Sequence, residues 1–293
     1  MQRQTKYQIY LHLIIVLLGF TGILGKLISI EAEPLVWFRM LIALAGLLLY
    51  LWVRRIGMGL PIVEAFKILA TGLITAAHWI TFFMSIKVAN VSVALICFAS
   101  TTFFMAFLEP LFFKRKLIFY ELILGLVVIA GLYFIFELET GYQLGILYGV
   151  FSAFLGSLFM VINGKLIRRH HAVVISAYEM LGGFLGLTFF LYMSGALELS
   201  MLKISTSDFI YLLILGLVCT SFAFVVNVAL LKEVSPFSVS ISFNLEPIYA
   251  IILALLFFGS SEFMKPGFYF GSLIIIGSII LNGYLKNKKR MKV

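Results

Sequence analysis

The tetrapeptide GKLI at residues 25–28 occurs again at residues 164–167, 139 residues further along the chain. Each copy ends a long apolar stretch, and each places its lysine, Lys26 or Lys165, at the same point. Similarity at a long, fixed offset indicates that one structural unit occurs twice. The two copies therefore predict that the chain is built from two similar units.

The composition is that of a membrane protein. Of 293 residues, 62% are hydrophobic and only 12% are charged, whereas soluble domains carry roughly 45–50% apolar and about 25% charged residues. Cys97 and Cys219 both lie inside apolar stretches, so no extracellular disulfide framework is expected. The sequence predicts an integral membrane protein.

The charged clusters and turn residues divide the chain into ten apolar runs, each near the ~20 residues that a helix needs to cross the bilayer. A closed barrel is the alternative, but its strands would alternate polar and apolar residues, whereas LIIVLLGF (13–20) and YAIILALLFF (249–258) are continuously apolar. We predict ten transmembrane helices, at 9–30, 35–53, 65–86, 91–113, 118–136, 143–163, 173–194, 208–230, 236–258 and 267–285.

The basic residues predict the orientation, because cytoplasmic loops are enriched in lysine and arginine. With both termini in the cytoplasm, 17 of the 22 basic residues fall on the inside, four fall on the outside and Arg39 lies within a span. The net charge of +9 is therefore explained by topology and by contact with anionic lipid. No nucleic-acid partner is needed, and we expect a bacterial inner-membrane protein.

Further matches define the repeat. MLIALAGLLLYL (40–51) matches MLGGFLGLTFFL (180–191) at an offset of 140, so that the halves are residues 7–137 and 142–285, with five helices each. An odd number of crossings inverts the second half, as in secondary transporters with a midplane site. The predicted fold is an all-α membrane protein of two inverted five-helix repeats. Lys26 and Lys165 are then equivalent, and each either extends to the headgroups or takes part in gating.

Three motifs resemble those of a known family. They are WFR (37–39), ANVSVAL (89–95) and VSPFSVSISFNLEPIYAIILALLFFGSSE (234–262), and in this order and spacing the chain resembles the EamA-type transporters of the drug/metabolite transporter superfamily. The resemblance implies a ten-helix bundle with a cavity lined mainly by the first, third, fourth, sixth, eighth and ninth helices. It also implies export or exchange of small metabolites such as amino acids, without identifying the substrate.

Ionisable groups within membrane spans are costly and are functional candidates by default. Arg39 is expected to be structural, reaching the outer headgroups or the carboxylates of Glu31 and Glu33. Its partner in the second repeat is Glu179, at the same offset of 140. Glu179 is either a substrate or proton site or a buried, hydrogen-bonded carboxyl.

Glu246 lies about eleven residues into the ninth predicted span, too deep to reach the headgroups, and Pro247 follows it. Proline removes a backbone hydrogen bond, so we expect the helix to bend here. The carboxyl could exchange a proton for substrate or pair with a substrate amine. The alternative is a neutral carboxyl that is hydrogen-bonded to Ser100 or Thr101 of the fourth span.

Further pathway candidates are weaker. His78 lies on a polar stripe of the third span, but membrane histidines and asparagines such as Asn227 also bond one helix to another. Trp79 and Tyr249 could line a cavity or simply pack. The candidate substrate or coupling residues are Glu246, His78, Asn227, Glu179, Ser100, Thr101, Trp79 and Tyr249, and the candidate structural or gating residues are Arg39, Lys26, Lys165 and Pro247.

The sequence contains no phosphate-binding glycine loop and no Cys/His cluster with metal spacing, so we expect neither an enzyme nor a cofactor or metal. The favoured function is a secondary transporter that moves an amino-acid-like metabolite by alternating access, with a proton as the candidate coupling ion. The alternatives are an exporter of amphiphilic cations and a non-transporting scaffold or intramembrane enzyme. The oligomeric state is left open, a homodimer included.

Overall fold

The computed structural model describes residues 2–138, 141–233, 236, 239, 243 and 245–290. Within these ranges every regular element is helical. A π-helical segment, Ile214–Phe222, joins α9 to α10. The helices are α1 (Gln2–Leu27), α2 (Ala32–Val53), α3 (Ile62–Val88), α4 (Val91–Phe98), α5 (Thr101–Phe113), α6 (Phe119–Leu138), α7 (Gln143–Leu166), α8 (Ala172–Met193), α9 (Thr206–Leu213), α10 (Ala223–Leu230), α11 (Glu246–Phe258) and α12 (Pro266–Arg290).

Two predicted spans are less regular than a single helix. The span at 91–113 is divided into α4 and α5, with a break at Ala99 and Ser100. The span at 208–230 contains the π-helical segment.

In the ninth span, α11 begins at Glu246, which places Pro247 in its first turn, where the missing N–H breaks no helical bond. The Pro247 side chain and most of residues 234–244, where the predicted bend would lie, are outside the described residues.

Six stretches of the described chain are long and apolar enough to cross a membrane, judged by length and composition. Four further apolar helical stretches are shorter, so that ten crossings remain a prediction. The outward faces are strongly apolar, with Trp52, Phe119, Leu111 and Leu256 all exposed. An apolar surface of this kind marks an interaction surface rather than a water-facing one, and it suits contact with lipid.

Helices pack against each other at glycines in both halves of the chain. A Cβ atom added to Gly72 in α3 would lie 2.1 Å from the Glu179 carbonyl oxygen of α8. A Cβ atom added to Gly216 would lie 3.4 Å from the Arg39 carbonyl oxygen of α2. Arg39 and Glu179 are the two residues that the sequence repeat pairs at an offset of 140. Both glycines thus face the backbone of a neighbouring helix, and the approach is much closer at Gly72 than at Gly216.

We expect Gly182→Ala to destabilise the fold because α3 and α8 are in close contact there. The added Cβ would lie 2.2 Å from the Leu69 carbonyl oxygen, which is backbone and cannot rotate away. Overpacking of this kind typically costs about 1–3 kcal/mol. Thermal unfolding in detergent should show a lower midpoint for the variant.

Gly277→Ala in α12 is the matched control for this substitution. A Cβ atom there would have nothing within 4 Å, and alanine is favoured over glycine in a helix by about 1 kcal/mol. Its midpoint should be unchanged or higher. Equal midpoints for the two variants would contradict the close approach of α3 to α8.

Candidate functional site

A central cavity lies between the two halves of the chain. Its volume is about 60 Å³, which is room for a few water molecules and well below the ~300 Å³ or more of most ligand sites. Both halves contribute to the wall. The lining residues are Leu18 and Thr21 of α1, Arg39 of α2, His78, Trp79 and Phe82 of α3, Phe98 of α4, Gly156, Phe159 and Met160 of α7, Cys219 of the π-helical segment, Ala223, Phe224 and Asn227 of α10, and Phe243 and Glu246.

This wall agrees with the set of helices that the family resemblance implied, because each of those six predicted spans supplies at least one lining residue. The second span was not expected, and it reaches the cavity through Arg39. Four of the eight substrate or coupling candidates meet in this cavity, namely His78, Trp79, Asn227 and Glu246.

Arg39 is only 2% exposed, so the expected contact with headgroups or with Glu31 and Glu33 is not formed. Instead its Nε donates to Thr220 Oγ1 at 2.7 Å. Its guanidinium carbon lies 3.7 Å from the centroid of the Trp79 ring, a cation–π contact. The NH1 nitrogen is buried and has no hydrogen-bond partner among the described residues. The sequence did not reveal this placement, because the residues that hold Arg39 are distant in the chain.

The π-helical segment explains how Thr220 can hold Arg39. Its hydroxyl donates to the Leu215 carbonyl at 2.6 Å, five residues back, and still accepts from Arg39 Nε. Ser221 makes the same five-residue bond to Gly216. Single π turns are often found at functional sites, and the wide turn here presents a hydroxyl beside the cavity.

His78 connects α3 to α7 while its ring lines the cavity. Its Nδ1 lies 2.9 Å from both the carbonyl oxygen and the hydroxyl oxygen of Ser152, and that hydroxyl is also within 3.0 Å of the His78 carbonyl oxygen. The ring stacks on Phe98 with centroids 5.4 Å apart and is tilted against Phe159 at the same distance. Both interpretations of His78, as an interhelical link and as a lining residue, therefore describe its position.

Glu246 and Asn227 present acceptor atoms without partners. Glu246 is 4% exposed, and its Oε2 has no hydrogen-bond partner in the described part of the chain. The same holds for Asn227 Oδ1. Ser100 donates to the Cys97 carbonyl at 2.7 Å and Thr101 donates to Phe98 within their own helical turns. The alternative for Glu246, a bond to either of these hydroxyls, is not formed among the described residues, and neither Ser100 nor Thr101 lines the cavity.

Two other candidates also lie away from the cavity. Glu179 is fully buried in α8, where its Oε2 accepts from Asn163 Nδ2 at 3.3 Å. Tyr249 is 40% exposed on α11. The sequence predicted which helix carries each of these residues. It did not show which side of that helix faces the cavity.

At one end of the bundle, Lys26 forms an ion pair with Glu262. Its Nζ lies 2.8 Å from Glu262 Oε1 and 4.4 Å from the centroid of the Phe258 ring. Glu262, 1% exposed, also accepts from the backbone nitrogen of Ser92 at 3.0 Å and from its hydroxyl at 2.8 Å. Glu262 was missed because it follows an apolar run in a short 3₁₀ turn. The available signal was the start of α4, whose free N–H groups require an acceptor.

The Lys165 end is open, with a cavity of about 700 Å³ between α3, α5 and α7, here called the vestibule. Lys165 Nζ lies 5.3 Å from the centroid of the Phe112 ring, and no described carboxylate lies within 4.0 Å of it. Glu64 pairs with Lys67 at 2.8 Å. The charged residues that line the vestibule are Glu64, Lys67, Lys114, Lys165, Arg168 and Arg169.

A metal site was not found in the described chain, which contains no group of three or more histidine, cysteine, aspartate or glutamate side chains placed to hold an ion. The central cavity has apolar walls and a few buried polar atoms. At about 60 Å³ it would have to widen before a small molecule of mixed polarity could enter.

Comparisons with known proteins give three findings. The sequence model of the EamA-like transporter family matches residues 5–137 and 143–284. A protein from Clostridium kluyveri named as an uncharacterized transporter is 29% identical over 147 residues, which cover 50% of this chain and 45% of that protein. A protein of known crystal structure aligns over 96% of this chain and 98% of its own, with a TM-score of 0.72 and 14% identity, which shows a shared fold.

Proposed function

Because this chain belongs to the EamA-like transporter family and is an integral membrane protein, we propose that it is a secondary transporter of a small, amino-acid-like metabolite. It exports or exchanges this metabolite across the bacterial inner membrane. The observation that carries the proposal is the central cavity, where aromatic walls surround a few unpartnered polar atoms of Arg39, Asn227 and Glu246. Small-molecule sites combine apolar walls with few polar groups in this way.

The mechanism we propose is alternating access by two inverted repeats of five transmembrane helices. The two ends of the helix bundle support it, since the two lysines that the repeat makes equivalent have different surroundings there. Lys26 is paired with Glu262 at a closed end, whereas Lys165 borders the open vestibule without a carboxylate partner among the described residues. In an inverted repeat, exchange of these two states would open the opposite face. Glu246 would carry the coupling proton.

The topology has a direct test. With both termini cytoplasmic, a membrane-impermeant maleimide added outside should label cysteines introduced at Glu139 or Ser200 and should not label one at Arg169. Native Cys97 and Cys219 are buried, and a variant without them supplies the background. Labelling at Arg169 alone would overturn the orientation, and labelling at all three positions would overturn the ten-helix count.

Solute transport by purified protein in liposomes tests the function itself. The solutes are the twenty amino acids, a set of nucleosides and a set of amphiphilic cations without a carboxylate. We expect uptake of at least one amino acid well above that of protein-free liposomes. Uptake of the cations alone would instead support a multidrug exporter, which the aromatic wall of Trp79, Phe98, Phe159 and Phe224 also suits. Transport of no solute would favour a scaffold.

A further inference from the structure

We propose that Arg39 binds the carboxylate of the transported substrate, so that the central cavity selects zwitterions over amines. The inference rests on the proposed transport function and names the part of the substrate that this residue recognises. Three features of the cavity carry it: a buried charge without a counterion among the described residues, a guanidinium with one unpartnered nitrogen, and unpartnered acceptor atoms that an ammonium group would complement.

The first feature is the missing counterion. Arg39 is 2% exposed, and no carboxylate oxygen lies within 4.0 Å of its nitrogens in the described part of the chain. Arginine remains protonated in proteins, and a buried charge is costly unless it is paired. The Trp79 ring offsets part of that cost through its π face. An anion that enters the cavity would complete the compensation.

The second feature is the way in which the guanidinium is held. Thr220 fixes its Nε at 2.7 Å, and Trp79 covers one face at 3.7 Å. Phe83 lies further away, 5.6 Å from the guanidinium carbon. NH1 is left as a buried donor without a partner in a residue that lines the cavity. A preorganised donor of this kind is suited to a carboxylate, which accepts hydrogen bonds from the planar guanidinium fork.

The third feature is the chemistry of the other unpartnered atoms. Glu246 Oε2 and Asn227 Oδ1 are acceptors that line the same cavity, whereas Arg39 NH1 is a donor. Glu246 does not pair with Arg39, since no ion pair within 4.0 Å joins them. A zwitterion supplies both complements at once, with its ammonium group donating to the two acceptors and its carboxylate accepting from Arg39. An amine without a carboxylate would leave Arg39 unpaired.

Competition measurements test the inference. The probes are the amino acid that is best transported in liposomes and its carboxamide, which keeps the amine and the side chain but carries no negative charge. In the wild type, we expect the carboxamide to compete at least 10-fold more weakly than the amino acid. In Arg39→Gln this preference should fall to about one, because glutamine has no charge to pair with the carboxylate. Arg39→Lys should restore part of the preference.

The preference is a ratio within one protein, so it does not depend on how much of each variant folds. Lys203→Gln, which removes an exposed positive charge outside the cavity, is the matched control and should keep the wild-type preference. Equal competition by the two probes in the wild type, or an undiminished preference in Arg39→Gln, would overturn the inference while leaving amino-acid transport established. Failure to transport any amino acid would instead remove the proposed function on which the inference rests.

Discussion

Replacement of Glu246 by glutamine is expected to abolish accumulation driven by a pH gradient, with a reduction of at least about 10-fold. Glutamine keeps the size of the side chain and one acceptor oxygen, but it cannot bind and release a proton. Glu246 is buried, lines the central cavity and has an oxygen without a described partner. A free carboxyl at the substrate site is therefore placed to exchange a proton for the substrate as the cavity changes faces.

The measurement is uptake of the transported amino acid into liposomes at several imposed pH gradients. Any exchange that remains in Glu246→Gln should no longer depend on pH. Glu31→Gln is the matched control, because Glu31 is exposed and makes no side-chain capping bond at the start of α2. Normal accumulation with unchanged pH dependence in Glu246→Gln would make Glu246 a structural residue.

Much of the helical pattern could be predicted from apolar run length, because each run is bounded by charged or turn residues. The local departures could not. The break at Ala99 and Ser100 and the π turns at residues 214–222 lie inside continuous apolar runs, where composition does not distinguish one helical hydrogen-bonding pattern from another. Hydroxyl groups such as that of Thr220 compete for backbone carbonyls, but their choice of carbonyl depends on the neighbouring helix.

The lining of the cavity was only partly predictable, because the sequence shows which helix carries a residue but not which other helices that residue contacts. His78 and Asn227 were predicted as polar pathway candidates, and both line the central cavity. Arg39 was assigned to the outer headgroups because it lies early in its span. Its contacts with Thr220 and Trp79 form only when three distant segments pack together. Glu179 was a candidate substrate or proton site but lies away from the cavity, because helical spacing does not show which side of α8 faces the cavity.

The ion pair between Lys26 and Glu262 is expected to hold one end of the cavity closed, so that Lys26→Met should favour opening at that end. The Glu262 side chain is fully buried, whereas that of Lys26 is 26% exposed. A hydrogen bond to a charged group contributes about 1.5–3 kcal/mol, which corresponds to about a 10- to 140-fold change in the equilibrium between the closed and open states. A ligand or substitution shifts such an equilibrium only through interactions that differ between the two states, and this pair joins segments from opposite halves of the chain.

Cys219 supplies a built-in reporter, because it lines the central cavity and its thiol is free. A membrane-impermeant maleimide applied from the Lys26 side should modify Cys219 at least about 10-fold faster in Lys26→Met than in the wild type. Lys165→Met is the matched control, since Lys165 has no described carboxylate within 4.0 Å and its loss breaks no ion pair in this state. Lys26 and Lys165 are equivalent positions of the two repeats, but only Lys26 has a described carboxylate partner. If this ion pair holds its end closed, the two substitutions should change the modification rate of Cys219 by different amounts. Equal modification rates in the two variants would show that Lys26 does not hold this end of the cavity closed.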